Sequence, residues 1–189
     1  MRLFTTPKRL YKKLEEKYRG GGVVLDVGVG RRKFPGAIGI DVRGNSLADI
    51  QHDLSTFPWP FEDNRFDLIL CRHVLEHIPQ TDKMMDELWR ISKPNAMVVI
   101  EVPHFSNVES FRHWQHIHFF TAGSLDYFQV GNKNYKAQFT IEKRRIFFDD
   151  LSRLLLIEFL ANIFTRQYER RFAFIFPAGS IYWEMAAIK

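Results

Sequence analysis

Short apolar runs that alternate with helical segments constrain the fold of this 189-residue chain more than any other feature. The run at residues 23–27 lies between glycines, as expected for a strand buried on both faces of a parallel sheet. Runs of the same character recur at 37–42, 66–71 and 96–102, and residues 81–92 carry apolar side chains at helical spacing. This alternation predicts a doubly wound α/β fold, in which a parallel sheet carries helices on its faces.

The second half of the chain follows a different pattern. Residues 105–128 are rich in aromatic side chains and histidine without a clean period, which predicts a loop with short helical pieces. Residues 139–148 and 180–188 predict two further strands, and residues 151–165 predict a strongly apolar helix. Such a helix usually belongs to the core; a lid, a dimer interface, or docking to a membrane or a lipid substrate are the alternatives.

The excess positive charge lies in the first segment of the chain. Residues 1–19 hold seven basic residues and two acidic ones, whereas the remaining 20 basic and 20 acidic residues balance. In this segment residues 7–19 predict an amphipathic helix, with Leu10, Leu14 and Tyr18 on one side. We expect this helix to cover the edge of the fold with a solvated charged face; contact with an anionic partner is the alternative. The distribution weakens the case for an extended nucleic-acid groove.

The length of the chain fits one ordinary domain, so we expect residues 1–189 to form a single domain. No apolar run approaches the roughly 20 residues of a membrane span, and the first seven residues lack the features of a secretory signal. These observations predict a cytoplasmic protein. The single cysteine, Cys71, ends an apolar run, which predicts a buried structural thiol rather than a nucleophile.

Glycines and an acidic residue follow the first two predicted strands. Gly28 and Gly30 allow a ligand to approach the backbone closely, and Asp41 can accept hydrogen bonds from both hydroxyls of a ribose. A dinucleotide site needs a third glycine and a helix that receives the pyrophosphate. Lys33 stands where that glycine would be, and residues 31–36 are too few for a crossover helix. The pattern therefore favours a nucleoside without phosphates, such as S-adenosylmethionine.

An ordered set of motifs within residues 22–104 resembles the class I S-adenosylmethionine-dependent methyltransferases. The matching segments are, in order, 24–30, 38–41, 52–54, 58–70, 73–78 and 87–94. The resemblance implies a single doubly wound, Rossmann-like α/β domain with a mainly parallel seven-stranded sheet and helices on both faces. It also implies S-adenosyl-L-methionine as the cofactor, a cofactor-binding half at 22–104 and a substrate-side half at 105–189.

The same resemblance assigns expected cofactor contacts to individual residues. The methionine portion and the ribose would be lined by Asp26, Gly28, Val29 and Gly30, and the ribose hydroxyls would be bound at Asp41 and Val42. The adenine would be bordered by Asp53 and Leu54, and the floor beneath the cofactor would be formed by Arg72, His73 and His77. A turn or helix-cap role for Asp53 is the alternative. The missing crossover helix departs from the family, so cofactor binding is either weaker or completed by the N-terminal helix.

Two histidines, His73 and His77, match the H-x-x-E-H motif of zinc peptidases. The sequence identifies no third ligand, and methyltransferases with this string need no metal there. We therefore expect no metal site.

A second group of histidines comprises His113, His116 and His118, with His104 upstream. A substrate pocket with a general base, a structural cluster and a metal site are the three interpretations. The resemblance favours the first, with His104 and His118 as candidate catalytic bases.

Three functions are compatible with these residues. The first is O- or N-methylation of a small-molecule, sugar, glycan or lipid-like acceptor. The second is a non-catalytic relative that binds S-adenosylmethionine, which the shortened crossover motivates. The third, an RNA or DNA methyltransferase anchored by the basic helix, is less favoured because no Asn-Pro-Pro-Tyr or paired-cysteine motif is present. Peripheral membrane contact through residues 1–19 and 151–165 is a further alternative.

Overall fold

The computed structural model describes residues 6–149 and 156–189, which form a seven-stranded sheet with helices on both faces. The strands are β1 (Val24–Val27), β2 (Ile38–Asp41), β3 (Ile50–Gln51), β4 (Phe66–Arg72), β5 (Ser92–Pro103), β6 (Phe139–Phe147) and β7 (Ser180–Ala187). The helices are α1 (Pro7–Tyr18), α2 (Thr81–Ile91), α3 (Val108–Arg112), α4 (Ile157–Ile163) and α5 (Thr165–Arg171), with 3-10 turns at Leu75–His77 and Asp126–Phe128.

The sheet has the order β3-β2-β1-β4-β5-β7-β6. The neighbouring strands from β3 to β5 pair in parallel, and β7 lies antiparallel between β5 and β6. The predicted α/β fold with a mainly parallel sheet is confirmed. The short strand β3 was not predicted, because two residues give no apolar run. The strand order reverses between β1 and β4, so their carboxyl ends form the crevice where open α/β sheets bind ligands.

Helix α1 covers one face of the sheet. Thr6 caps it by accepting a hydrogen bond from the Arg9 backbone N–H, and Pro7 stands at its first position. Leu10 and Leu14 are buried against side chains of β1, β4, β5 and β7. The predicted helix is confirmed, but its predicted place at the edge of the fold is wrong. With no crossover helix between β1 and β2, α1 supplies apolar cover for this face instead.

The connection from β1 to β2 spans residues 28–37, all of which the structure describes, and it contains no helix. The predicted loss of the crossover helix is therefore confirmed. The loop is held by side-chain contacts, since the Asp26 carboxylate accepts a hydrogen bond of 2.7 Å from the Phe34 backbone N–H.

The opposite face of the sheet carries the larger core. Met84, Met85 and Leu88 of α2 are fully buried there, and Cys71 lies beneath them in β4. Burial raises the pKa of the Cys71 thiol, which therefore stays protonated. The predicted structural thiol is confirmed.

Helix α4 lies within the apolar helix predicted at residues 151–165, and α5 follows it as a separate helix. Residues 150–155, which include the first part of that prediction, lie outside the described residues. Helix α4 ends at Ile163, and α5 begins at Thr165 after Phe164 leaves the helical conformation. The predicted continuity to residue 165 is wrong. Among the described residues, no helix is long and apolar enough to cross a bilayer.

Candidate functional site

A cavity of about 400 Å³ opens at the carboxyl ends of β1, β4 and β5. This volume falls within the range of small-ligand sites in proteins. Its walls combine glycine backbone, cationic side chains and one carboxylate. The lining residues are Tyr11, Gly28, Val29, Arg31, Arg32, Arg72, His73 and Glu101. Four predicted contacts (Gly28, Val29, Arg72 and His73) are therefore brought together, at the crevice that the strand order predicts.

Asp41 lies at the end of β2 and holds the turn beside this cavity. Its Oδ2 accepts a 2.8 Å hydrogen bond from the Gly30 N–H, and its Oδ1 accepts one of 2.9 Å from the Arg43 N–H. An ionised carboxylate offers about four lone-pair sites, so each oxygen can accept a further hydrogen bond. The two backbone bonds fix the carboxylate in position for a bidentate partner. Val42, the next residue, is half exposed.

Gly28 requires the absence of a side chain for two reasons. Its φ of +65° lies in the left-handed region, and a Cβ here would come within 2.2 Å of the Val74 Cγ2 atom. Its N–H donates a 2.8 Å hydrogen bond to the Ile40 carbonyl, which ties β1 to β2. Gly30 also has a left-handed φ, of +53°. The Gly-x-Gly pair thus turns the chain sharply above the cavity.

Asp26 lies behind the cavity wall rather than on its surface, because it is 1% exposed. Its Oδ2 accepts hydrogen bonds of 2.7 Å from the Phe34 N–H and from Arg72. Burial raises the pKa of Asp26, and Arg72 opposes that rise. Within the part of the chain that the structure describes, Asp26 Oδ1 is buried without a hydrogen-bond partner. Asp26 therefore positions Arg72 and leaves one acceptor atom unsatisfied.

Two lining residues, Tyr11 and Glu101, were not predicted. The Tyr11 hydroxyl donates a 2.6 Å hydrogen bond to Glu101 Oε2, and Ser180 donates one of 2.9 Å to Oε1. Burial, followed by the Glu101 charge, raises the pKa of Tyr11, so the phenol stays a donor. The signal for Glu101 was a single acidic residue inside the apolar run at 96–102. Through Tyr11, α1 closes one side of the cavity.

Replacing Tyr11 with phenylalanine is expected to lower the free energy of unfolding by about 1.5–3 kcal/mol, because the buried Glu101 carboxylate loses a donor. Urea denaturation of Tyr11→Phe measures this change. Tyr18→Phe is the matched control on the same helix, since the Tyr18 hydroxyl lies 3.4 Å from its acceptor and contributes little. Equal effects of the two variants would show that the Tyr11 hydroxyl has no special role.

Arg31 and Arg32 add positive charge at the cavity. Neither has an ion-pair partner among residues 6–149 and 156–189, whereas Arg72 pairs with Asp26. His73 also lines the cavity, and its φ of +54° is a strained value for a residue with a side chain. The pKa of His73 is lowered by burial but raised more by Glu76 and Glu101, so that its net shift is upward. The cavity is therefore suited to a ligand with an anionic group.

Seven predicted contacts lie outside the cavity lining, namely the four described above (Asp26, Gly30, Asp41 and Val42) and three further ones, Asp53, Leu54 and His77. Asp53 Oδ1 accepts a hydrogen bond from the Ser55 N–H, which is the turn role given as the alternative. Leu54 is buried, and its carbonyl accepts a hydrogen bond from the Trp59 indole. His77 belongs to a separate histidine cluster, and its Nδ1 donates to the Gln115 carbonyl. Their assignment to the adenine border and the floor stays a prediction.

The two candidate bases occupy different environments. His104 is fully buried, with Nδ1 accepting the Ser106 N–H and Nε2 lying 3.4 Å from Glu169. Its complete burial and these two neighbours are typical of a structural histidine, and neither His104 nor His118 lines the cavity. His118 is partly exposed, and its Nε2 donates to the Ile78 carbonyl at 3.0 Å. That bond leaves Nδ1 of His118 free to accept a proton.

The amino-acid sequence is similar to those of known methyltransferases. Residues 2–130 match the family model described as a methyltransferase domain. Over 105 residues the chain is 26% identical to phosphoethanolamine N-methyltransferase 2 of Caenorhabditis elegans, covering 44% of this chain and 24% of that protein. The chain thus spans about a quarter of the length of this curated relative.

Solved structures share the fold. An S-adenosylmethionine-dependent methyltransferase from Archaeoglobus fulgidus is 16% identical with a TM-score of 0.64, covering 96% of this chain and 94% of that one. Phosphoethanolamine N-methyltransferase 2 of Haemonchus contortus, solved with phosphomonomethylethanolamine and S-adenosylhomocysteine, is 18% identical with a TM-score of 0.60, covering 98% and 54%. The family model matches more than half of the residues of this chain. The chain therefore belongs to the methyltransferase domain family, the S-adenosylmethionine-dependent methyltransferases of class I.

Proposed function

We propose that this chain transfers a methyl group from S-adenosylmethionine to the amino group of a small molecule, with phosphorylated amino alcohols as the acceptor class. The observation that carries the proposal is the cavity at the carboxyl ends of β1, β4 and β5. The cofactor follows from the family. The acceptor class is supported by the similarity to two phosphoethanolamine N-methyltransferases and by the cationic lining of the cavity.

The residues present fit this cofactor. Asp41 keeps one lone-pair site on each oxygen for the two ribose hydroxyls. Asp26 contributes from behind the wall, where its carboxylate holds the lining residue Arg72 in place. Gly28 and Val29 offer backbone that a ligand can approach without meeting a large side chain. Tyr11 completes this wall, so α1 would supply part of the cofactor site that the missing crossover helix does not.

Arg31 and Arg32 supply charge for anionic groups. The cofactor carries a carboxylate and the proposed acceptor carries a phosphate, and guanidinium groups bind both in a bidentate manner. Arg72 is already held by Asp26, whereas Arg31 and Arg32 lack ion-pair partners in the described part of the chain. We assign the phosphate of the acceptor to these two side chains.

Methyl transfer makes few chemical demands on the protein. The bound cofactor supplies a methyl group activated by a positively charged sulfur. The chain has to align the acceptor nitrogen with that group, and alignment of this kind can contribute about 7–11 kcal/mol. A protonated amine must first lose its proton, and His118 Nδ1 is the candidate acceptor for that proton.

A direct assay tests the proposal. The purified chain is incubated with S-adenosylmethionine labelled on its methyl group, and separately with phosphoethanolamine, ethanolamine, glycerol phosphate, lipid vesicles or RNA. We expect label in phosphoethanolamine, less in ethanolamine and none in glycerol phosphate, which lacks an amine. Label in RNA or lipid alone would replace the proposed acceptor, and binding of the cofactor without label in any acceptor would favour the non-catalytic relative.

Removing the Arg31 and Arg32 side chains should weaken recognition of the acceptor's phosphate and leave recognition of its amine unchanged. For the Arg31→Ala/Arg32→Ala variant we expect the KM for phosphoethanolamine to rise at least about tenfold, because charge-assisted contacts to the phosphate are lost. The KM for ethanolamine should change little. Lys12→Ala/Lys13→Ala removes two exposed charges of α1 outside the cavity lining and is the matched control. Steady-state kinetics with both acceptors supplies the measurement; an equal rise for both acceptors would contradict a phosphate contact.

A further inference from the structure

A cluster of three histidines lies outside the cavity lining. One ligand atom from each of His77, His113 and His116 lies within 4.8 Å of the other two. The ring centroids of His77 and His116 are 4.7 Å apart, as are those of His113 and His116. The 3-10 turn Leu75–His77 supplies the first histidine, and the loop after α3 supplies the other two. The sequence alone identified no third ligand, because this partner set forms only when the chain folds.

Two of the three rings are oriented by their second nitrogen. His77 Nδ1 donates to the Gln115 carbonyl at 3.1 Å, and His116 Nδ1 donates to the Ser110 carbonyl at 3.2 Å. These contacts leave Nε2 of both rings as a lone-pair donor. Protein metal sites use the same arrangement, in which a backbone carbonyl fixes the tautomer and the direction of a ligating histidine.

A buried carboxylate beside the cluster provides an independent observation. Glu76 is 1% exposed, and neither of its carboxylate oxygens has a hydrogen-bond partner in the described part of the chain. Its Oε1 lies 4.0 Å from His116 Nε2 and 3.5 Å from His73 Nδ1. A buried carboxylate without a hydrogen-bond donor is costly unless nearby positive charge compensates it. A metal ion among the histidines would supply that positive charge.

We propose that His77, His113, His116 and Glu76 form a binding site for a divalent transition metal, with Zn²⁺ as the best match. Three imidazoles and a carboxylate are ligands of Zn²⁺, whereas Mg²⁺ and Ca²⁺ take oxygen ligands. Tetrahedral ligands at zinc distances lie about 3.4 Å apart, so histidine ligand atoms that are up to 4.8 Å apart have to approach by up to about 1.4 Å. Rotation of the exposed His113 side chain can provide this movement.

Such a site would fasten the loop after α3 to the end of β4. The loop already contacts this turn through the Glu76 carbonyl, which accepts hydrogen bonds from the Ile117 and His118 N–H groups. Four protein ligands make a closed site, and closed zinc sites are structural rather than catalytic. The metal would therefore order the segment that carries His118 without taking part in methyl transfer.

Calorimetry on tag-free, metal-stripped protein tests the site. ZnCl₂ is titrated into the wild type, His113→Ala, His116→Ala and Glu76→Gln, and into His52→Ala as the matched control, since His52 lies outside the cluster. We expect one Zn²⁺ per wild-type chain, no binding of Mg²⁺, and at least about tenfold weaker Zn²⁺ binding in the first three variants, because loss of even an outer partner costs about 10–100-fold. His52→Ala should bind as the wild type does.

A second measurement guards against misfolded variants. Circular dichroism checks each fold, and Co²⁺ titration of the wild type should produce the intense visible absorption of a four-coordinate site. A wild type that binds no Zn²⁺, or binds it no more tightly than His113→Ala, would overturn the proposal. A loss in His52→Ala equal to that in His116→Ala would do the same.

Discussion

Replacing Asp41 with alanine is expected to weaken S-adenosylmethionine binding at least about 100-fold. Charge-assisted hydrogen bonds contribute about 1.5–3 kcal/mol each, and two are assigned to the ribose hydroxyls. The substitution also releases the Gly30 and Arg43 N–H groups, which the carboxylate now holds. Isothermal titration calorimetry of Asp41→Ala against the wild type measures the loss.

Asp49→Ala is the matched control for this experiment. The Asp49 carboxylate also accepts a backbone hydrogen bond beside β2, from Gly39 at 2.6 Å, and it pairs with Lys33. Neither carboxylate is part of the cavity lining, but only Asp41 accepts a hydrogen bond from the Gly-x-Gly turn, through Gly30. We expect its cofactor affinity to stay within about threefold of the wild type, because the two sites share no ligand contact. If Asp41→Ala binds the cofactor as well as Asp49→Ala does, Asp41 does not hold the ribose.

Replacing Gly28 with alanine is expected to lower the free energy of unfolding by about 2–5 kcal/mol. The left-handed backbone accounts for about 1–2 kcal/mol, and the 2.2 Å approach of the new Cβ to Val74 adds an overpacking cost of about 1–3 kcal/mol. Urea denaturation of the purified variant provides the measurement.

Two further variants separate these contributions. Gly36→Ala has the same backbone strain, with φ of +74°, but its Cβ meets nothing within 4 Å, so we expect only about 1–2 kcal/mol of destabilisation. Combining Gly28→Ala with Val74→Ala should cost less than the sum of the two single changes, because the clash is gone. Strict additivity, or equal effects of Gly28→Ala and Gly36→Ala, would contradict the close packing of Gly28 against Val74.

The sequence predicted most of the sheet because buried strands leave a local pattern. Mainly apolar runs marked β1, β2, β4 and β5, and the place of Asp41 at the end of β2 followed from that pattern. Strand β3 left none, since it has two residues and lies at the edge of the sheet. The break between α4 and α5 was equally invisible, because no glycine or proline occurs near residue 164 to mark it.

Contacts between distant segments could not be predicted from the sequence. The pairing of Tyr11 with Glu101 depends on α1 lying across the face of the sheet, and periodicity shows which residues face a core but not where the helix docks. The histidine cluster could not be predicted for the same reason, because His77 and His113 come together only through the fold of the intervening chain. Residue type and spacing predicted a ligand site at the Gly-x-Gly turn, whereas the tertiary structure defined its walls.

The central claim is that the cavity beside β1 and β4 holds the methyl donor. A crystal structure of the chain with S-adenosylhomocysteine, the product of methyl transfer, tests it most directly. We predict that the ribose hydroxyls meet the Asp41 carboxylate and that the amino acid portion lies in the cavity lined by Gly28, Val29 and Arg72. A ligand bound elsewhere on the chain, with Asp41 out of contact, would contradict the claim.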